Sequence, residues 1–184
     1  MIPLYLDPAQ ARVALIGRGA LALRRLQWLL EAGASPDVWS DAPTFEFARA
    51  AGAVLRDGVP GLGDLTRYHA IWIADLPHDE AEALALNASS VNVLVNVEDV
   101  KALCDFHTPA VVRRGKLTLA AGTGGASPAV ARAAREQLEA AFPEEWAHAL
   151  DVIAKARAAL REEGADFDTL VRDARTRLSD HGLI

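Results

Sequence analysis

Short unbroken apolar runs alternate with segments whose apolar residues recur every three or four positions, and this alternation organises the first half of the chain. Arg12 to Ile16, with its ValAlaLeuIle core, reads as a buried strand. Leu23, Leu26, Leu29 and Leu30 then recur at helical spacing until Gly33 closes the helix. A second strand begins at Asp37 to Trp39, and Thr44 to Ala51 reads as a short helix. AlaIleTrpIleAla at 70–74 is another buried strand, Asp79 to Ser89 a helix, and Val91 to Val97 one more strand. Strands and helices in alternation imply a parallel sheet with right-handed crossovers.

The rhythm changes after Val97. Residues 110–120 read as two short strands around Arg114-Gly115, antiparallel because the connection is tight. Ser127-Pro128 is a helix start, a hydroxyl cap followed by proline at the first helical position. Helices are predicted over Ala129 to Ala141, Glu145 to Arg161 and Phe167 to Leu178, with breaks near Pro143 and at Gly164.

Chemistry enters at Gly17-Arg18-Gly19, where the first strand gives way to the first helix. One glycine allows a sharp turn, a second lets a pyrophosphate approach, and Ala22 lets the helix sit close to the sheet. The start of that helix is expected to offer unpaired N–H groups and a positive dipole end to phosphates. A plain packing turn also uses glycine, so the motif has two explanations. Asp41, about 20 residues further on, suits hydrogen bonding to an adenosine ribose. It equally suits an ordinary turn before Pro43. In the first role it repels a 2′-phosphate and favours NAD over NADP, whereas Arg18 pulls the other way.

The totals narrow the classes. A net charge of −6 disfavours a general nucleic-acid binder, which needs a basic surface. The lone Cys104 excludes an internal disulfide framework and fits a reducing cytoplasm. No apolar run approaches the roughly 20 residues of a membrane span, and the start of the chain lacks an export pattern. Five histidines are scattered without ligand spacing, so no permanent metal site is expected.

Five segments carry a family resemblance: ProLeuTyrLeuAsp at 3–7, GlyArgGlyAlaLeuAlaLeuArgArg at 17–25, LeuLeuGluAlaGlyAla at 29–34, ValAsnValGluAsp at 95–99 with CysAspPhe and ProAla at 104–106 and 109–110, and ThrGlyGlyAlaSerProAlaValAlaArg at 123–132. With them the chain resembles the dehydrogenase/ferrochelatase module of sirohaem synthase, also seen as stand-alone precorrin-2 dehydrogenase. The resemblance implies NAD-dependent oxidation of precorrin-2 to sirohydrochlorin, often with Fe²⁺ insertion, in a homodimer. It implies a Rossmann-like parallel-sheet NAD-binding domain at 1–109, a dimerisation region with the signature loop and helix at 110–142, and a C-terminal helical domain at 143–184.

Asp99 is the expected catalytic residue, a carboxylate just past a parallel strand that can assist proton removal or orient the ring. A turn cap ahead of Lys101 is the alternative. Gly17, Arg18, Gly19, Ala20, Leu21, Asp41 and Ala42 are expected on the cofactor side. Thr123, Gly124, Gly125, Arg113 and Arg132 are expected on the tetrapyrrole side, the arginines through charge-assisted hydrogen bonds to its carboxylates. The chain departs from the family pattern at Arg18, where a glycine is usual, and at Trp39. It also reads AspLeuProHisAsp at 75–79 where the family has Thr-Asp-Asp, and lacks the asparagine that follows. The loss of the Thr-Asp-Asp segment favours a rival, a non-catalytic relative that carries or senses a nucleotide or tetrapyrrole. An unrelated Rossmann reductase leaves the 123–132 signature unexplained.

Overall fold

The computed structural model describes the whole chain, Met1–Ile184. It divides into two compact units, Met1–Thr108 and Pro109–Ile184.

In the first unit, β1 (Val13–Gly17), β2 (Asp37–Ser40), β3 (Leu55–Asp57), β4 (Ala70–Ala74) and β5 (Leu94–Val97) form one parallel sheet in the order β3-β2-β1-β4-β5. Successive side chains on a strand face opposite ways, so β1 and β4 feed two cores. Val13, Leu15, Ala70 and Trp72 pack with Leu26 and Leu29 of α1 (Ala20–Glu31) and Phe47 of α2 (Phe45–Ala51). Ala14, Ile16, Ile71 and Ile73 pack on the other face with Leu65 of α3 (Leu62–Leu65) and Leu84 of α4 (His78–Ser90). Burial on both faces is why these strands read as continuous apolar runs rather than as alternating ones.

Two elements escape the sequence pattern. β3 is three residues long and α3 four, too short for either periodicity to register. The run at 91–97 also splits, because Asn92 turns with φ +60° and only Leu94 onward pairs with β4.

In the second unit, β6 (Ala110–Arg114) and β7 (Leu117–Ala121) pair antiparallel around Gly115, whose φ of +57° the tight turn requires. The helices α5 (Pro128–Ala141), α6 (Glu145–Glu162) and α7 (Phe167–Asp180) follow. Both α5 and α6 pack on the hairpin, and α7 packs on α6, so the Phe142-Pro143 break lies inside one compact unit. Arg114 holds that break: its guanidinium donates to the Phe142 carbonyl at 2.7 Å and pairs with Glu144 at 3.2 Å. The structure thus spends this arginine on the chain's own carbonyls.

Candidate functional site

The sheet order reverses between β1 and β4, since the chain builds β2 and β3 on one side and β5 on the other. In such sheets ligands bind outside the carboxyl ends of the strands at that reversal. Gly17 and Ala74 are paired there, so Gly17-Arg18-Gly19 and Asp75 emerge side by side.

Gly17 is fixed by packing. A Cβ on it would lie 2.6 Å from both the Ala22 Cβ and the Ala74 carbonyl oxygen. Only glycine fits, and the small Ala22 brings α1 against the sheet as its position in the motif implies.

The expectation of free N–H groups fails for two of them, those of Gly19 and Ala22. Asp75 Oδ2 accepts hydrogen bonds from the backbone N–H of Gly19 at 3.1 Å and of Ala22 at 2.9 Å. The N-cap residue Gly19 has no side chain to cap its own helix, so a carboxylate from the end of β4 does so. Asp75 reaches it from a left-handed backbone, φ +58°, a region that Asp tolerates better than most residues. A Cβ on Gly19 would meet Asp75 Oδ2 at 3.0 Å, so that carboxylate fills the open face of the second glycine.

Asp41 is also engaged. The Arg18 guanidinium forks onto both of its oxygens at 2.7 Å and reaches Glu80 of α4 at 2.6 Å. Hydrogen bonding to Arg18 holds the Asp41 carboxyl below the usual range, and bonding to Asp41 and then Glu80 raises the arginine. Arg18 and Asp41, which pull opposite ways on cofactor preference when read singly, form one ion pair. Ala20 and Ala42 are exposed beside them and Leu21 is half-buried. Ser40, one residue before Asp41, is buried with its Oγ unpartnered.

A cleft of about 110 Å³ opens at the ends of β4 and β5, lined by Ala74, Asp75, Leu76, His78, Val97 and Glu98. Glu98 takes a bidentate bond from Arg25 of α1 at 2.7 and 2.9 Å. Asp99 follows in a left-handed bend, φ +62°, with its side chain exposed; its neighbour Glu98, not Asp99, lines the cleft. Behind the bend the chain folds back along β5. Asp105 Oδ2 accepts from Val95 N–H, and the Cys104 thiol accepts from Val97 N–H and donates to a carbonyl of Val97 or Val100. Burial pushes that thiol up, which marks it as structural.

In the second unit, Thr123, Gly124 and Gly125 form the turn ahead of α5, with φ of +66° and +76° at the glycines. Thr123 Oγ1 donates to the Ser127 carbonyl and accepts from Ser127 N–H, while Ser127 Oγ caps Val130. Arg132 is exposed on α5 and paired with Glu136, and Arg113 lies on β6. Sequence reasoning missed Asp75, Glu80, Glu98 and Arg25. The departure at 75–79 was the one signal pointing to the first of them.

The geometry suits a dinucleotide: a glycine turn at the reversal, an acidic residue after β2, and a cleft at β4 and β5. Several polar groups that would meet the ligand, Asp75, Arg18 and Asp41 among them, are paired within the protein. Residues 4–110 match the family described as putative NAD(P)-binding. Over 185 residues the chain is 31% identical to a siroheme synthase of Xylella fastidiosa (strain M12), covering 97% of this chain and 38% of the relative. Over 164 residues it is 32% identical to a siroheme synthase of Methylococcus capsulatus, covering 88% of this chain and 34% of the relative. The chain thus spans roughly a third of the length of these relatives. Among solved structures it is similar in fold to SirC, a precorrin-2 dehydrogenase, with a TM-score of 0.69, 21% identity and 100% of both chains covered.

Proposed function

Because the chain belongs to the putative NAD(P)-binding family, we propose that it is an NAD-dependent dehydrogenase that oxidises precorrin-2 to sirohydrochlorin in sirohaem biosynthesis. The observation that carries this reading is coverage: similarity to a siroheme synthase runs along 97% of the chain. A bound NAD⁺ supplies the hydride acceptor. Gly17, Arg18, Gly19, Ala20, Leu21, Asp41 and Ala42 would hold it, the turn through backbone N–H groups and Asp41 through its carboxylate.

The oxidation also releases a proton, and a carboxylate oxygen of Asp99 accepts it. Thr123, Gly124 and Gly125 are proposed contacts of the ring, and Arg113 and Arg132 of its carboxylates. Homodimerisation, residence in a reducing cytoplasm and Fe²⁺ insertion as a second activity belong to the same proposal. Fe²⁺ is then a substrate.

Purified protein mixed with precorrin-2 and NAD⁺ is expected to develop the absorbance of sirohydrochlorin, and Asp99→Ala to slow that turnover by about 100-fold. No turnover overturns the dehydrogenase. Full turnover by Asp99→Ala removes that residue from the reaction. The engaged Asp75 and Arg18 favour one second reading, a carrier or sensor; binding of both ligands without turnover is its signature.

A further inference from the structure

The geometry points to Asp75 as the residue that sets dinucleotide affinity: in the free protein its carboxylate holds the phosphate seat at the start of α1, and a pyrophosphate must displace or oppose it. The inference rests on the dinucleotide reading above and adds a determinant of affinity to it.

Three features of its placement support it. Asp75 Oδ2 accepts two backbone N–H groups of the glycine turn, those of Gly19 and Ala22. Its carboxylate lies in the space beside Gly19 that a side chain there would occupy, which is the space a glycine at that position leaves for a phosphate. The carboxylate is also a wall of the cleft at β4 and β5. One side chain therefore faces both the turn and the cleft.

The physical consequence is a competition between anions. A helix N-terminus attracts negative charge through its free N–H groups and its dipole. Here a unit of negative charge already satisfies both. An incoming pyrophosphate finds two of the donors, those of Gly19 and Ala22, taken and a like charge beside it, and like charges at contact distance in a partly buried site repel strongly. Arg18 tightens the arrangement on its other side, because the fork onto Asp41 and the bond to Glu80 span the approach from β2 to α4.

Two variants test the charge separately from the fold. Asp75→Asn keeps an oxygen for the two N–H groups and tolerates the left-handed backbone, but removes the charge. Asp75→Gly removes the side chain and keeps the backbone conformation without strain. Asp79→Asn, an exposed carboxylate in the first turn of α4, controls for net charge. NAD⁺ affinity is measured by calorimetry on all four proteins, and the amide resonances of Gly19 and Ala22 are followed by NMR.

Both Asp75 variants are expected to bind NAD⁺ about tenfold tighter or better, with Asp79→Asn unchanged. The Gly19 and Ala22 amide signals should move in Asp75→Gly before any ligand is added. If the wild type binds NAD⁺ and the Asp75 variants bind equally or less tightly, the inference fails while the cofactor reading stands. If none of the four proteins binds NAD⁺, the cofactor reading fails and the inference with it.

Discussion

The helices α1 and α5 both start from glycine-containing turns, and they solve the same problem in opposite ways. At α5 the cap is local: Ser127 accepts the Val130 N–H at 3.3 Å, and Thr123 ties the turn from four residues away. At α1 the cap comes from Asp75, which is 56 residues from Gly19 and 53 from Ala22. A local cap needs only its own sequence. A distant cap needs the sheet to form first, and it places a charge that another anion can contest. The first cap is a structural device, the second a chemical one.

That contrast can be broken in order of effect. Gly17→Val should be the most damaging change, because its Cβ would strike backbone at Ala74 as well as Ala22. A loss of about 3 kcal/mol or more is expected in denaturant unfolding. Asp75→Gly should lower the stability of the protein by about 1 kcal/mol through loss of the cap, even as dinucleotide affinity rises. Ser127→Ala should cost a similar ~1 kcal/mol, with Ser127→Asp restoring it and dinucleotide affinity unmoved. If Ser127→Ala altered NAD⁺ affinity as Asp75→Gly does, the division between structural and chemical turns would collapse.

The smallest effect belongs to a third cap. Asp166 accepts the Thr169 N–H at 2.8 Å at the start of α7, and hydrogen bonding to Thr169 holds its carboxyl below the ordinary range. A carboxylate with a depressed folded-state value stabilises fully above its unfolded pKa of about 4 and loses that contribution as pH falls through the folded value. The Thr169 amide signal should therefore shift only below about pH 4, and Asp166→Asn should flatten that titration.

The parallel sheet was legible because β1 and β4 are buried on both faces and so read as unbroken apolar runs. The α5 start was legible because its cap and its proline are adjacent in sequence. Asp75 was not, for the converse reason: nothing local says that a residue after β4 will face the turn after β1. The same limit governs Arg18 and Asp41. Read singly, each suggested a ligand contact; only the folded sheet shows that they meet each other. At the β5 end the sequence pointed to Asp99 alone, whereas Glu98 lines the cleft and Asp99 follows in a left-handed bend.

The strap behind β5 makes the protein its own gauge. Since Cys104 has its sulfur turned into the Val97 and Val100 carbonyls and its thiol pushed up by burial, an electrophilic dye should react more slowly while residues 98–106 are seated than when they lift away. The pace of labelling thus reports how firmly that segment sits, with no other cysteine in the chain to confuse the count.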